Sequence, residues 1–146
     1  MFVVGDAGNE VNEYSLSTAF DVSTASYVTL KSVSAETTPS GMSFNNDGTK
    51  MFVIGSNSDY VSEYDLTTAF DINTASYAGN AERFFVRSQE PTSTGMAFNN
   101  DGTKMFVIGN NDDDVNEYSL STAFDVSTAS YVQNFSIQSQ EIEPSG

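Results

Sequence analysis

Carboxylates and side-chain amides are the reactive groups this chain offers in quantity. Asn110, Asn111, Asp112, Asp113 and Asp114 stand in a row, and such hard oxygen donors are the ligands that Ca²⁺ accepts. Asp112, Asp113 and Asp114 are therefore the candidate metal ligands, calcium is the candidate ion, and no other cofactor is expected. Tight, solvated turns require the same residue types. The aligned loops DAGNE (6–10) and SNSDY (56–60) are less acidic, which argues against a site repeated along the chain. A second set, Glu13, Glu63 and Glu117, recurs at one place in three copies of a Val-x-Glu-Tyr motif. A positioned carboxylate can act as a general acid or base, but each of these stands in its own copy, so structural hydrogen bonding or exposure accounts for them better. The stretch NNDGTK (45–50) lacks the ligand series and distal Glu of a calcium-binding helix-loop-helix.

Other chemistry is narrowed by what is absent. With no histidine, Ser-His-Asp and Cys-His catalysis and imidazole zinc sites are removed together. With no cysteine, disulfides and thiolate metal sites go too. No catalytic residue is assigned. Twenty acids against five bases give a net charge of -15, which repels the phosphates of nucleic acid and anionic membrane surfaces. No apolar run approaches the roughly 20 residues of a membrane-spanning helix. Neither nucleic acid binding nor membrane insertion is expected.

What must position these groups is a repeat. VNEYSLSTAFDVSTASYV occupies 11–28 and again 115–132, with the near-copy VSEYDLTTAFDINTASYA at 61–78. Aligned on the Met of each MFV, units begin at Met1, Met51 and Met105, with periods of 50 and 54 residues. Periods of about 40–50 residues point to propeller blades. Within a unit, GMSF (41–44) leads through the turn NNDGT to KMFVIG (50–55), and Asp-Gly between apolar runs is a hairpin signal. A polar loop then leads to VSEYDL, whose alternation suits a strand. The connection TTAFDINTA follows, and a fourth strand runs from SY to FFVR.

The expected fold is therefore all-β: propeller blades of four antiparallel strands, about three repeats, in an incomplete ring or a segment of a larger propeller. A stacked-sheet solenoid or fibre is the alternative. The repeats are 1–41, which lacks its first strand, 42–95 and 96–146. Phe44, Phe52, Tyr64, Phe70 and Tyr77 are expected in the core between blades, because aromatic side chains dominate cores and interfaces.

The hairpin DGTKMFV resembles the DGTKLYV-type hairpin of YVTN-family β-propellers. The whole unit, GMxFNNDGTKMFVIG followed by VNEYxLSTAFDVSTASYV, is more similar still to tandem repeats in proteins of marine bacteria and phages. The likeness covers essentially the entire chain and implies propeller blades. It differs from WD40 repeats in having no Trp, and from kelch repeats in having no glycine pair.

Strand parity places Asp6, Glu10, Glu36, Asp59, Glu90, Asp112, Asp113, Asp114, Glu141 and Glu143 on one face of the disc. The leading expectation is a non-enzymatic structural or adhesion and binding module that displays this acidic loop face, secreted, extracellular or virion-associated. Its partners would be other copies of itself, further repeats, or a surface glycan or protein. The alternative is a lactonase-like propeller enzyme that uses a carboxylate-held metal. MFVVG at the start has no first-strand neighbour, and such an edge is a template for another strand.

Overall fold

The computed structural model describes residues 1–145. Its β-strands fall into three antiparallel sheets. Blade 1 holds β1 (Phe2–Gly5), β2 (Glu10–Leu16) and β3 (Ala25–Ser32), in that order. Blade 2 runs β4 (Pro39–Phe44), β5 (Lys50–Gly55), β6 (Tyr60–Leu66) and β7 (Ala75–Tyr77), with β8 (Arg83–Phe85) also paired to β6. Blade 3 runs β9 (Ser93–Phe98), β10 (Lys104–Gly109), β11 (Asp114–Leu120) and β12 (Ala129–Ser136). Among the described residues the only helical pieces are 3₁₀ turns such as Val22–Thr24, so no helix is long and apolar enough to cross a membrane.

The hairpin expected at Asp47-Gly48 forms, with Met42 opposite Val53 and Phe44 opposite Met51. Asp47 Oδ1 accepts from the Thr49 N–H at 3.0 Å and from its hydroxyl at 2.6 Å, which closes the turn with its own side chain. Those bonds hold the Asp47 carboxyl below its ordinary range, the Thr49 hydroxyl contributing most. Asp47 is thus a turn residue. The fourth strand of blade 2, expected as one run, is two short pieces around residues 78–82.

The run MFVI is apolar at every position because a middle blade has two covered faces, and a strand loses its polar alternation when both sides are buried. Met51 and Val53 pack toward blade 1 with Val11, Val33, Tyr64 and Leu66. Phe52 and Ile54, pointing the other way, pack with Met105, Val107 and Tyr118 of blade 3. The core therefore consists of two layers between blades, which a single sheet could not form alone. Phe52 and Tyr64 are buried, and Phe44 and Tyr77 half-buried. Phe70 departs from the expectation: it is 44% exposed, lying at the outer end of a ring stack instead of inside a layer.

These stacks cross the blade boundaries. Phe2 meets Phe44 with ring centroids 4.8 Å apart, and Phe44 meets Phe70 at 5.4 Å. One blade further on, Phe52 meets Phe98 at 4.7 Å and Phe98 meets Phe124 at 5.5 Å. The near-identity of the repeats thus gives two near-identical junctions.

Candidate functional site

The loops that gather acids on one face use many of them as internal fastenings. Of the ten acids on that face, Glu36, Asp59, Glu90, Asp113 and Asp114 are buried. Glu36 accepts from the hydroxyls of Ser58 and Ser62 across the first junction, while burial pushes its carboxyl above the ordinary glutamate range against those hydrogen bonds. Glu90 accepts from the Thr92 N–H at 2.9 Å and packs against Gly109, where an added Cβ would lie 2.2 Å from its Cδ. Asp59 pairs with Arg87 at 2.8 Å. Asp6, Asp112, Glu141 and Glu143 remain exposed and Glu10 is half-buried, so the face is less acidic outwardly than its composition implies.

Asp112, Asp113 and Asp114 sit together in the chain, but each is held by different partners. Asp112 is exposed and accepts from Asn111 Nδ2 at 3.1 Å. Asp113 adopts a φ of 51°, a left-handed conformation that Asp and Asn tolerate better than other side chains. Its Oδ1 accepts from the Glu143 N–H at 3.0 Å. Asp114 opens β11, 3% exposed, and accepts from Asn116 Nδ2 at 2.6 Å and from Asn134. Asp112 and Asp114 line one side of an open polar groove of about 460 Å³ with Asn116, Tyr131 and Asn134. Asn9, Asp59 and Asp113, at one position of three aligned loops, all have positive φ, so backbone shape alone explains an Asn or Asp there.

The recurring glutamates have a recurring cation. Lys50 Nζ pairs with Glu63, and Lys104 Nζ pairs with Glu117 at 2.6 Å. The spacing between Lys50 and Glu63 equals that between Lys104 and Glu117, a signal legible in the repeat. Lys104 and Gln133 hold the Glu117 carboxyl below its ordinary range. Glu63 differs: burial raises its carboxyl first, Lys50 opposes this, and Asp65 and Asp125 raise it further.

Glu63 also belongs to a group of three acids, among the described residues, close enough together to hold a metal ion. Single carboxylate oxygens of Glu63, Glu82 and Asp125 all lie within 4.8 Å of one another. Glu63 comes from β6, Glu82 from the segment preceding β8, and Asp125 caps the 3₁₀ turn Val126–Thr128 of blade 3. Sequence reasoning missed both: Glu82, 19 positions on from Glu63, reaches it only where its segment folds back, and Asp125, 62 positions on, only across the junction.

No family model matches the chain, and no curated protein does. Solved structures do match. A candidate 6-phosphogluconolactonase from Bacteroides fragilis aligns with a TM-score of 0.63 at 8% identity, over 93% of this chain and 35% of that one. A functionally unknown protein from Desulfotomaculum acetoxidans gives 0.57 at 13% identity, over 92% of this chain and 41% of that one. Sqt1 of Chaetomium thermophilum, solved bound to the N-terminus of ribosomal protein L10, gives 0.50 at 9% identity, over 98% and 38%. The architecture is that of a β-propeller segment. At these identities the likeness concerns fold alone, and the propeller segment spans well under half the length of the structures it matches.

Proposed function

We propose that the chain is a non-enzymatic structural and binding repeat module whose first blade is completed by the first strand and hairpin of a further repeat, through the contact that closes blades 2 and 3. The observation that carries this reading is the state of Phe20. Its counterparts Phe70 and Phe124 lie on the Asp-Gly hairpin turn of their own blades, each ring within 2.6 Å of where a glycine Cβ would stand. Phe20 is fully exposed. Beside it runs an apolar groove of about 550 Å³ lined by Met1, Tyr14, Leu16, Ala19 and Val22. The counterparts of Tyr14 and Leu16, namely Tyr64 with Leu66 and Tyr118 with Leu120, are buried. β1 is also an edge strand, whereas β5 and β10 are flanked on both sides. The occupant that fits is a first strand and hairpin of the PSGMSFNNDGTK type. The YVTN-like character of that hairpin is part of the same proposal, as are an extracellular or virion setting and a glycan or protein ligand on the loop face.

The lactonase-like alternative calls for carboxylates converging on a metal at the centre of a ring. β4 and β9, which converge so closely that a Cβ on Gly41 would lie 3.1 Å from Gly95 Cα, read PSGMSF and STGMAF and carry no acid. That supports the non-enzymatic reading. The test is titration of the synthetic peptide PSGMSFNNDGTK into the whole chain. Saturable binding and a raised melting temperature are expected, both lost with a scrambled peptide and with Phe20→Ala. Failure of the peptide to bind would remove the support for repeat continuation, and turnover of a phosphosugar lactone by the chain would favour the enzyme.

A further inference from the structure

Blade 2 departs from its neighbours in one segment. Val33, Val86 and Ile137 are equivalent, each donating its N–H to the positive-φ residue of its blade's loop: Asn9 at 2.8 Å, Asp59 at 2.9 Å and Asp113 at 2.8 Å. From the third residue of the fourth strand, Tyr27, Tyr77 or Tyr131, this residue is six positions on in blades 1 and 3, but nine on in blade 2. The longer segment is folded back onto β6: the Ala78 N–H donates to the Glu63 carbonyl at 3.0 Å, and the Glu63 N–H to the Glu82 carbonyl at 3.3 Å. The excursion sets the Glu82 side chain beside Glu63, on the β6 face that turns toward blade 3.

Asp125 approaches from blade 3. Its Oδ1 accepts from the Ser127 N–H at 3.1 Å and from the Ser127 hydroxyl at 2.6 Å, which leaves Oδ2 outside those bonds. Glu63 is 2% exposed; Lys50 takes its Oε1, and its Oε2 is buried without any hydrogen-bond partner. A buried carboxylate oxygen with no partner is costly, and here it belongs to a side chain facing two further acids. Lys50 must also serve Asp65 at 3.3 Å, so local positive charge falls short of local negative charge. The first junction is built differently. There the fourth strand lacks the longer segment that carries Glu82; Glu13 Oε2 is likewise buried without a partner, and the Thr29 hydroxyl donates to Asn73 Oδ1 across the blades at 2.9 Å.

We propose that Glu63, Glu82 and Asp125 bind one divalent cation of the hard, oxygen-preferring class, calcium, as a bridge between blades 2 and 3. Calcium bonds of about 2.3–2.6 Å span oxygen pairs up to about 5 Å apart, whereas magnesium at about 2.1 Å spans only about 4 Å. These oxygens, all within 4.8 Å of one another, fall inside the calcium span, with water completing its shell. The cation satisfies Glu63 Oε2 and turns mutual repulsion into a crosslink. It sits at the one junction where the repeat is broken, and so is a single site.

Calorimetry and melting of the whole chain with calcium chloride, and separately with magnesium chloride, test this. The variants are Glu82→Gln and Asp125→Asn; both residues are half-buried, and Asn is a good cap residue. Expected are one-to-one calcium binding, a raised melting temperature, and weakening by at least about tenfold in either variant, because calcium affinity follows the charged-ligand count. Asp113→Ala should bind as the parent does. Variants that melt without calcium at or above the parent temperature show that lost binding is not lost folding. Absence of calcium binding overturns the proposal. So does binding that survives Glu82→Gln and Asp125→Asn, and loss with Asp113→Ala alone would place calcium at the Asp112–Asp114 loop instead.

Discussion

Phe70 lays its ring over Gly48 and donates its own N–H to the Gly48 carbonyl at 2.9 Å. Phe124 repeats the contact on Gly102 at 3.0 Å. Both phenylalanines accept positive φ, 59° and 55°, an unfavourable backbone state for a bulky side chain. The connection itself imposes this state, since the fully exposed Phe20 has φ of 62°; in blades 2 and 3 the ring also caps the hairpin and joins the stack through Phe44 or Phe98. The contact ties the first hairpin of a blade to its third connection, the two features most plainly repeated in the sequence.

Gly48→Ala should therefore be costly. Gly48 has φ of 72°, and a Cβ would meet the Phe70 ring at 2.4 Å. Left-handed strain and displacement of the ring together should remove about 2–4 kcal/mol. Chemical denaturation checks this, with Gly5→Ala as control: Gly5 has open space around its Cβ position and no positive φ, so it should lose less than about 1 kcal/mol.

The same side chain in identical local sequence should respond differently at 20 and at 124. Phe20 is fully exposed, whereas Phe124 is half-buried against Phe98 and Gly102. Phe124→Ala should cost about 1–3 kcal/mol, below the loss for a fully buried ring, and Phe20→Ala less than about 0.5 kcal/mol. Equal losses in the two melting curves would show that the hairpin contact does not stabilise the blade.

This pair shows where legibility ended. The strands, the Asp-Gly hairpin and the apolar run MFVI were readable because they depend on local pattern, and the register of Met42 with Val53 followed from the turn. The environments of residues 11–28 and 115–132 were not readable, since the letters are identical and only the neighbouring blade differs. Acids were legible as loop residues, but the inward turn of Glu36 and Glu90 depends on the next blade's Ser58, Ser62 and Gly109. The meeting of Glu63, Glu82 and Asp125 depends on an insertion whose conformation no periodicity encodes.

The two lysine–glutamate pairs occupy equivalent positions, yet removing their cations should have unequal effects. Glu63 has a side chain 2% exposed and Glu117 one 16% exposed. In calcium-free buffer Lys50→Met strands a buried carboxylate and should cost about 1–3 kcal/mol, the upper range being reduced because Lys50 itself is 32% exposed. Lys104→Met leaves Glu117 hydrogen-bonded to Gln133 at 3.0 Å and should cost less than Lys50→Met, because solvent screens an exposed pair. Urea midpoints of the two variants give the comparison.

Glu36 should make the chain less stable as pH rises. Its carboxyl is fully buried, and burial raises its folded-state value above the ordinary glutamate value that the unfolded chain retains. Between those two values the folded form holds a proton that the unfolded form releases, so stability is complete below the ordinary value and is lost as pH climbs through the raised one. Asp47 and Asp101 are shifted the other way, chiefly by the hydroxyls of Thr49 and Thr103, and Glu117 by Lys104. Their contribution is lost only as pH falls through values below the ordinary range, so the window above about pH 5 is clear of them. Glu36→Gln keeps the shape, can still bond Ser58 and Ser62 through an amide that both donates and accepts, and carries no charge to bury. The variant should melt at or above the parent temperature near pH 7, and its melting temperature should fall less steeply as pH rises above the ordinary glutamate value. A steeper fall in the variant than in the parent would mean that charged Glu36 stabilises the junction between the first two blades.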